Sequence, residues 1–196
     1  MEILRGQDPF SFFQNWLAEA AAKELNDPEA VALATVGADG MPSVRMVLCK
    51  QADARGFRFF TNAESRKGRE LAAQAKAAMC FHWKSLLRQV RIEGTVEQLP
   101  QAETEAYFRT RHPLSRLGAW ASRQSQPLES RAALEARVEE MRAKFGGQDI
   151  PCPPHWSGYV LVPRAIEFWQ QGEGRLHDRF VFTRAGDGWD VTRLNP

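Results

Sequence analysis

The stretch RQVRIEGTVEQL, residues 88–99, alternates apolar and polar side chains. Val90, Ile92 and Val96 fall on one side of this alternation, with polar or charged residues between them. Successive side chains of a β-strand point to opposite faces, so a period of two predicts a strand with one buried face. The stretch AAMCFHW, residues 77–83, comes shortly before it and is predicted to be its hairpin partner.

Further strands are predicted on both sides of this hairpin. AVALATV (30–36) and PSVRMVLCK (42–50) flank the tight turn GADG (37–40), and GFRFFTN (56–62) follows them. The C-terminal part is predicted to hold three or four more strands, at 158–163, 165–170, 178–184 and 188–194.

Helices are predicted before and between these strands. Asp8 followed by proline is typical of a helix start, and Ser65 is predicted to cap a second, short helix. Two more helices are predicted after the hairpin, one at 101–111 and one that starts near Pro127 and ends at the glycine pair 146–147. Many antiparallel strands with inserted helices indicate a mostly β fold, a β-barrel with peripheral helices; a mixed α+β sandwich is the alternative.

The composition is that of an ordinary globular domain. The 196 residues carry a formal net charge of +2, with 43% hydrophobic and 26% charged residues. These values fit one domain and argue against a dedicated nucleic-acid-binding protein. Residues 106–128 contain no Asp or Glu but include several arginines, which form either a solvated face or part of an anion pocket: Arg109, Arg111, Arg116 and Arg123.

The cysteines and the N-terminal sequence indicate the cellular compartment of the protein. Cys49, Cys80 and Cys152 form no CxxC pair, which is typical of reduced thiols in a cytoplasmic protein. The opening MEILRGQDPF lacks the charge and apolar pattern of a signal peptide. No apolar run approaches the roughly 20 residues that span a bilayer. We therefore expect a soluble, cytoplasmic protein with no membrane partner.

Two clusters of basic residues lie in the first half of the chain. In RMVLCK, Arg45 and Lys50 are an odd number of positions apart, so an ideal strand places them on opposite faces unless it carries a bulge. In ESRKGRE, Arg66 and Lys67 follow the predicted cap Ser65, where cations oppose the helix dipole. A bound phosphate would remove that conflict, because free N–H groups of the helix would also face it. An ordinary edge strand and solvated surface charges are the respective alternatives.

A third cluster is YFRTRHPLS. Tyr107 and Arg111 are four positions apart and would share one face of a helix. Ser115 would lie one turn further on, provided that His112-Pro113 does not redirect the chain. A phenol, a guanidinium and a hydroxyl on one face suit a phosphate. A core tyrosine beside a surface arginine is the alternative.

The fourth cluster is RLHDRF, in which Arg175, His177 and Arg179 alternate with Leu176 and Asp178. On a strand, the two guanidiniums and the imidazole would share a face and suit a polar, electron-rich aromatic ligand. Positive neighbours disfavour the charged form of a histidine, so His177 is expected to stay neutral. A purely structural histidine is the alternative.

The rest of the sequence gives no local support for a hydrolase, a metalloenzyme or a dinucleotide fold. It contains no P-loop, no GxGxxG and no pair of histidines at metal-ligand spacing. No metal site is predicted.

Taken together, these segments resemble the pyridoxine (pyridoxamine) 5′-phosphate oxidase family of FMN enzymes in vitamin B6 metabolism. The resemblance runs from DPF near residue 8 to RLNP at the end, and its most specific parts are RMVLCK, FFTNAESRKGRE, RQVRIEG, GAWASRQS, EFWQ and RLHDRF. It implies an FMN-binding split β-barrel in one domain, 1–196, whose C-terminal strands from about 158 to 196 complete the site. It also implies a homodimer with FMN in clefts at the subunit interface.

The resemblance further implies residue roles. Arg175 and His177 are the expected catalytic residues. The substrate is expected to contact Lys50, Tyr107, Arg111, Ser115, Arg175, Leu176 and His177. FMN is expected to contact Arg45, Met46, Val47, Leu48, Cys49, Lys50, Phe60, Thr61, Arg66, Lys67, Gln89, Gln124, Ser125, Trp169 and Arg179. Phe60 departs from the family pattern, because some members carry tyrosine there, so a hydroxyl contact is missing.

The implied reaction is hydride transfer from the 4′ carbon of pyridoxine 5′-phosphate or pyridoxamine 5′-phosphate to the flavin. O2 then reoxidises the flavin, which gives H2O2 and pyridoxal 5′-phosphate, and with the amine substrate water releases ammonia. Arg175 and His177 would orient the substrate and assist proton movement. Three alternatives are a sister flavin oxidase that acts on a phenazine precursor, a non-catalytic flavin or pyridoxal-phosphate carrier, and a nucleic-acid-binding barrel.

Overall fold

The structure, a computed structural model, describes residues 7–196. The absence of a signal peptide was predicted partly from residues 1–6, which lie outside the described residues. The helices are α1 (Pro9–Lys23), α2 (Arg66–Ala73), α3 (Gln101–Thr110), α4 (Pro113–Ala121) and α5 (Arg131–Phe145). The strands are β1 (Ala30–Val36), β2 (Pro42–Leu48), β3 (Gln51–Asp53), β4 (Gly56–Asn62), β5 (Lys76–Trp83), β6 (Arg88–Gln98), β7 (Trp156–Gln170), β8 (Asp178–Ala185) and β9 (Gly188–Arg193).

All strands belong to one antiparallel sheet in the order β2-β1-β5-β6-β7-β4-β3, with β8 on β7 and β9 on β8. β7 is long enough to pair with β4 through its first residues and with β8 through its last ones, both on the edge opposite β6. The two ends of the strand order meet after β2. There the N–H of Cys49 donates to Glu29 O at 2.9 Å, and the N–H of Lys50 donates to Arg58 O at 2.8 Å. The sheet thus curls into a barrel with a seam between β2 and β4.

Aromatic residues fill the barrel and dock the first helix onto it. Phe13 of α1 is fully buried, and its ring lies 5.0 Å from those of both Phe57 and Phe81. The predicted cap of α1 is confirmed, because the N–H of Ser11 donates to Asp8 Oδ2 at 2.8 Å. Val90 and Ile92 also lie in this core, as the alternation in 88–99 predicts. The prediction of a mostly β barrel with peripheral helices is confirmed.

The separate strands predicted at 158–163 and 165–170 are in fact one strand, β7. The register between β6 and β7 shifts at Glu93/Gly94, so that Ala165 pairs with Glu93 and Pro163 with Gly94. The resulting bulge leaves Arg164 as an extra residue, and a bulge is one of the few places where a strand tolerates proline. The predicted gap at residue 164 is therefore not a break between strands.

The helices after β6 also differ from the prediction. Two were expected, but α4 lies between them, because a proline in the first turn begins a new helix after His112. The last helix starts at Arg131 rather than near Pro127, with Ser130 Oγ accepting from the N–H of Ala133 at 3.1 Å. The short strand β3 was not predicted either.

The strand predicted at 178–184 is confirmed as β8, but the strand does not extend through all of RLHDRF, as a shared face of Arg175, His177 and Arg179 would require. β8 begins only at Asp178, and Glu173–Arg175 form a single 3-10 turn. Gly174 and Arg175 have φ values of 59° and 65°, in the left-handed region. Glycine adopts this region without strain, so the glycine supplies a turn where the sequence pattern indicates extended chain.

Within the described residues, no helix is both long and apolar enough to cross a membrane.

Candidate active site

A cleft of ≈ 410 Å³ opens at the seam, where β2 meets β4. Helices α2, α3 and α4 and the start of β7 also contribute to its wall. Eleven of its lining residues were assigned to FMN or substrate by the family resemblance. The full lining consists of Met46, Val47, Leu48, Lys50, Phe60, Thr61, Lys67, Tyr107, Arg111, His112, Ser115, Gln124 and Trp156.

A buried lysine forms one end of the cleft. Lys67 lies in the first turn of α2 and is only 8% exposed. Its Nζ donates to Gln124 Oε1 at 2.8 Å and to Thr61 Oγ1 at 3.1 Å, and no carboxylate among the described residues forms an ion pair with it. Burial lowers the pKa of Lys67 to about 8, and the positive charge of Arg45 adds to this lowering. This ammonium lacks a counter-charge, which an anionic ligand would supply.

Behind Lys67, the carboxylate of Glu70 accepts hydrogen bonds from four side chains. Thr35 and Ser43 donate at 2.5 and 2.7 Å, Arg66 Nε at 2.8 Å and Arg45 Nη2 at 3.1 Å. Burial alone raises the pKa of Glu70, but these hydrogen bonds outweigh it and lower the pKa to about 2. One carboxylate therefore fixes two cations that the resemblance assigns to FMN.

We expect Glu70→Gln to lower the free energy of unfolding by about 2 kcal/mol at pH 7, because it leaves buried guanidinium charge uncompensated. The folded-state pKa of Glu70 lies below its ordinary value, so its stabilisation is present above about pH 4.5 and is lost as the pH falls towards 2. Calorimetry should therefore show a gap in Tm between wild type and variant that narrows from pH 7 to pH 3.5. Glu64→Gln, the same exchange at an exposed position, is the control. A gap that stays constant with pH would contradict this role.

Arg111 and three aromatic rings form the other end of the cleft. Arg111 follows the last residue of α3, and its Cζ lies 4.2 Å from the centre of the Trp156 ring. Tyr107 stacks on Phe60 with a centroid distance of 3.8 Å. Burial lowers the pKa of Arg111, and no carboxylate in the described part of the chain pairs with it. Its charge remains available to a ligand.

The condition under which Ser115 would continue the helix face of Tyr107 and Arg111 is not met, because α3 ends at Thr110 and the chain turns before α4. The turn nevertheless brings Ser115, in the first turn of α4, to the same cleft. Lys50 reaches the cleft from beyond the end of β2, where its Nζ donates to Glu29 Oε1 at 2.9 Å. The odd spacing of Lys50 and Arg45 therefore needs no bulge.

A second group of assigned residues lies on the outward face of the sheet and does not line the cleft. Gln89, Trp169 and Arg179 are direct partners across β6, β7 and β8, so their side chains share that face. Arg179 Nε donates to Glu167 Oε1 at 2.9 Å, and Arg179 Nη1 donates to Asn195 O at 3.0 Å. The guanidinium is thus held rigidly against the sheet.

The turn between β7 and β8 carries the expected catalytic residues. The N–H of Gly172 donates to His177 Nδ1 at 3.2 Å, so the hydrogen-bond network assigns the proton of the neutral ring to Nε2. The His177 ring lies 4.6 Å from that of Trp169. Arg175 is exposed, and Leu176 is 77% exposed. The His177 ring and the Arg175 guanidinium can therefore contact a ligand that lies outside this chain's own cleft.

The assigned residues thus fall into a cleft set and a set outside it. Cys49 belongs to the second set, because its side chain is buried and points to Gln51 O, and burial raises the pKa of the thiol to about 12. Sequence reasoning missed His112 and Trp156, which both line the cleft. The position of His112 beside Arg111 was the one available signal. The set outside consists of Arg45, Cys49, Arg66, Gln89, Ser125, Trp169, Arg175, Leu176, His177 and Arg179.

An antiparallel barrel with a cation-lined cleft at its seam defines a class of ligand-binding split barrels. Comparison with known proteins narrows this class. Residues 17–145 match the family model described as pyridoxamine 5′-phosphate oxidase. Residues 156–196 match the model described as the pyridoxine 5′-phosphate oxidase C-terminal dimerisation region. The chain belongs to the pyridoxine/pyridoxamine 5′-phosphate oxidase family, which confirms the resemblance and the prediction of an oxidase.

Individual relatives agree with this membership. The pyridoxine/pyridoxamine 5′-phosphate oxidase of Anaeromyxobacter dehalogenans is 60% identical over 189 residues, 96% of each chain. That of Caulobacter vibrioides is 58% identical over 194 residues, 99% of this chain and 87% of the relative. Among solved structures, PhzG from Burkholderia lata 383 with tetrahydrophenazine-1-carboxylic acid has a TM-score of 0.92 and 34% identity, covering 100% and 99% of the two chains. An FMN-binding protein from Nostoc punctiforme, at 19% identity and a TM-score of 0.79 with 100% of both chains covered, shares the fold.

Proposed function

We propose that this chain oxidises pyridoxine 5′-phosphate or pyridoxamine 5′-phosphate to pyridoxal 5′-phosphate, with FMN as cofactor and O2 as electron acceptor. The names of relatives at 56–60% identity support this reaction. The observation that carries it is the pair of cations that line one cleft, the buried Lys67 and the half-buried Arg111, neither of which has a carboxylate partner among the described residues. Two phosphates, one on the cofactor and one on the substrate, would supply both missing counter-charges.

The α2 end of the cleft fits the FMN phosphate. Arg45, Arg66 and Lys67 face a single carboxylate, Glu70, which leaves an excess of two positive charges. A phosphate monoester carries about −1.5 to −2 charges near neutral pH. The first turn of α2 also contains no acidic residue, so its N–H groups and dipole favour the same anion.

The Arg111 end of the cleft fits the substrate phosphate. A guanidinium binds phosphate through two parallel hydrogen bonds, and the hydroxyls of Tyr107 and Ser115 add donors on the same side. Lys50 contributes a further cation, which Glu29 keeps oriented. The substrate ring would then lie between its own phosphate and the flavin.

FMN, held by the cations around α2, would supply the chemistry of hydride acceptance from the 4′ carbon and of two-electron transfer to O2, which would yield H2O2. The chain supplies position and charge. With its Nδ1 occupied by the N–H of Gly172, His177 donates through Nε2 to an oxygen or nitrogen of the substrate. Arg175 adds a permanent positive charge on the same turn, which orients the substrate. Both residues hold the reacting carbon in place, and this positioning increases the rate of hydride transfer without any strong base.

We further propose that each site is shared by two copies of the chain. Five inter-strand spacings separate Met46 on β2 from Arg179 on β8, which is about 24 Å along the sheet. The β1–β2 part of this outward face is apolar, because β1 places Ala32 and Ala34 there beside Val44 and Met46, which are 69% and 63% exposed. A second copy packed on this face would bring its His177 turn to the cleft, consistent with the match to a dimerisation region.

Mixed dimers test this sharing. We expect Arg111→Ala and His177→Ala each to be nearly inactive alone, because each dimer then lacks one half of both sites. Refolding the two variants together should restore about a quarter of the wild-type activity, since half of the dimers would contain one intact site. Mixtures that stay inactive, with mixed dimers verified by tagged subunits, would show that each site belongs to one chain.

A direct assay tests the reaction itself. Purified protein with FMN should form pyridoxal 5′-phosphate from pyridoxine 5′-phosphate while consuming one O2 per product. Catalase should return half of that oxygen, because two molecules of H2O2 yield one of O2. Product formation without O2 consumption would contradict the proposed acceptor.

The likeness to PhzG raises a second candidate, the oxidation of an unphosphorylated tricyclic compound. Such a substrate carries only a carboxylate, which has less charge and fewer acceptor oxygens than a phosphate for the donors Arg111, Tyr107 and Ser115. The two candidates are separated by anaerobic reduction of the flavin, because pyridoxine 5′-phosphate should bleach the flavin band and tetrahydrophenazine-1-carboxylic acid should leave it unchanged.

A further inference from the structure

We propose that Trp156 is a positioning residue for the substrate phosphate, because its indole face fixes the guanidinium plane of Arg111 without neutralising its charge. This inference rests on the proposed function of Arg111. The Arg111 Cζ lies 4.2 Å from the Trp156 ring centre and 5.6 Å from that of Phe108. Both distances are within the range of about 6 Å in which an aromatic face attracts a cation.

Several arginines in this structure are held by carboxylates instead. Glu70 holds Arg45, Asp53 holds Arg58, and Glu167 holds Arg179. A carboxylate in that role competes with phosphate for the same N–H groups and cancels the charge that attracts it. An aromatic face does neither, so the Arg111 donors stay oriented and available. Among the described residues, no carboxylate pairs with Arg111, and its Nη1 is buried without a hydrogen-bond partner.

Trp156 is itself fixed by three contacts. It is the first residue of β7 and pairs with Asn62 of β4. Its backbone N–H donates to Pro153 O at 2.9 Å, and its ring lies 5.8 Å from Phe108 in an edge-to-face contact. The side chain is 8% exposed and lines the cleft. A rigid platform of this kind reduces the conformational entropy that Arg111 would otherwise lose on binding phosphate.

Steady-state kinetics with FMN-loaded enzyme test the role. We expect Trp156→Leu to raise KM for pyridoxine 5′-phosphate about tenfold with kcat within a factor of about two, whereas Trp156→Phe, which keeps an aromatic face, should raise KM less than threefold. The inhibition constant of unphosphorylated pyridoxine should not change. Trp120→Leu is the matched control, because Trp120 packs on Phe145 and does not line the cleft.

A double-mutant cycle keeps the test decisive if Trp156→Leu folds poorly. Combining Trp156→Met, which fills the space without an aromatic face, with Arg111→Gln should raise KM no further than Arg111→Gln alone, because the platform acts only through the guanidinium. Additive effects, or equal weakening of pyridoxine and its phosphate, would show a merely structural tryptophan and overturn the proposal. If Arg111→Gln itself left KM unchanged, the assignment of the substrate phosphate to this end would fail instead.

Discussion

His177→Ala is expected to lower kcat about 100-fold or more while FMN stays bound. The imidazole is held with its Nδ1 on the N–H of Gly172 and its ring against Trp169, so that only Nε2–H is offered to the substrate. Loss of a positioned proton donor typically slows a reaction by about 10²–10⁴-fold. Stopped-flow reduction of the flavin by pyridoxine 5′-phosphate measures this step directly.

A conservative variant separates positioning from packing. His177→Gln keeps an N–H donor at a similar reach, so it should retain more of the reduction rate than His177→Ala. Arg175→Ala should resemble His177→Ala, with slow reduction and normal flavin content. If either alanine variant lost its flavin yet showed full activity when FMN was added, the division between substrate and cofactor residues would be wrong.

Lys67→Met is expected to weaken FMN binding about 100-fold, which is the effect of removing one partner from a buried, charge-assisted phosphate contact. The same change should stabilise the protein without FMN. Burial depresses the pKa of Lys67 to about 8, which means that folding disfavours its charged form. Titration of FMN by fluorescence quenching and calorimetry of the FMN-free protein measure the two effects.

The pH dependence of stability tests whether folding lowers the pKa of Lys67. Since its pKa is lower in the folded chain than in the unfolded one, wild-type stability should rise between about pH 8 and pH 10.5, and the Tm advantage of Lys67→Met should shrink over that range. Lys76→Met, the same exchange at an exposed position of β5, is the control. A variant that binds FMN normally would remove Lys67 from the cofactor site.

Much of the fold was predictable because local periodicity determines it. The alternation in 88–99 and the turn at 37–40 predicted two hairpins that the register confirms. The predicted boundaries were wrong near two prolines, because a proline can lie in a strand bulge or at the start of a new helix. Proline at 163 lies in a bulge of one strand where two strands were predicted, and proline at 113 begins a helix that the sequence pattern does not separate from its neighbour.

The site was predictable in its residue types but not in its geometry. Arg175, His177 and Arg179 were expected on one strand face, but a glycine turn places the first two outside β8. Trp156 was not predicted as a site residue, because the Pro-rich sequence before it does not indicate which residues it contacts in the fold. Its contact with Arg111 joins residues 45 positions apart, and only the fold brings them together.

The most direct test of the central claim is the visible spectrum of the FMN-loaded protein under anaerobic conditions, before and after addition of pyridoxine 5′-phosphate. We expect the flavin band to bleach and to return when air is admitted, with pyridoxal 5′-phosphate as the product. A flavin band that pyridoxine 5′-phosphate leaves unchanged would contradict the proposed reaction.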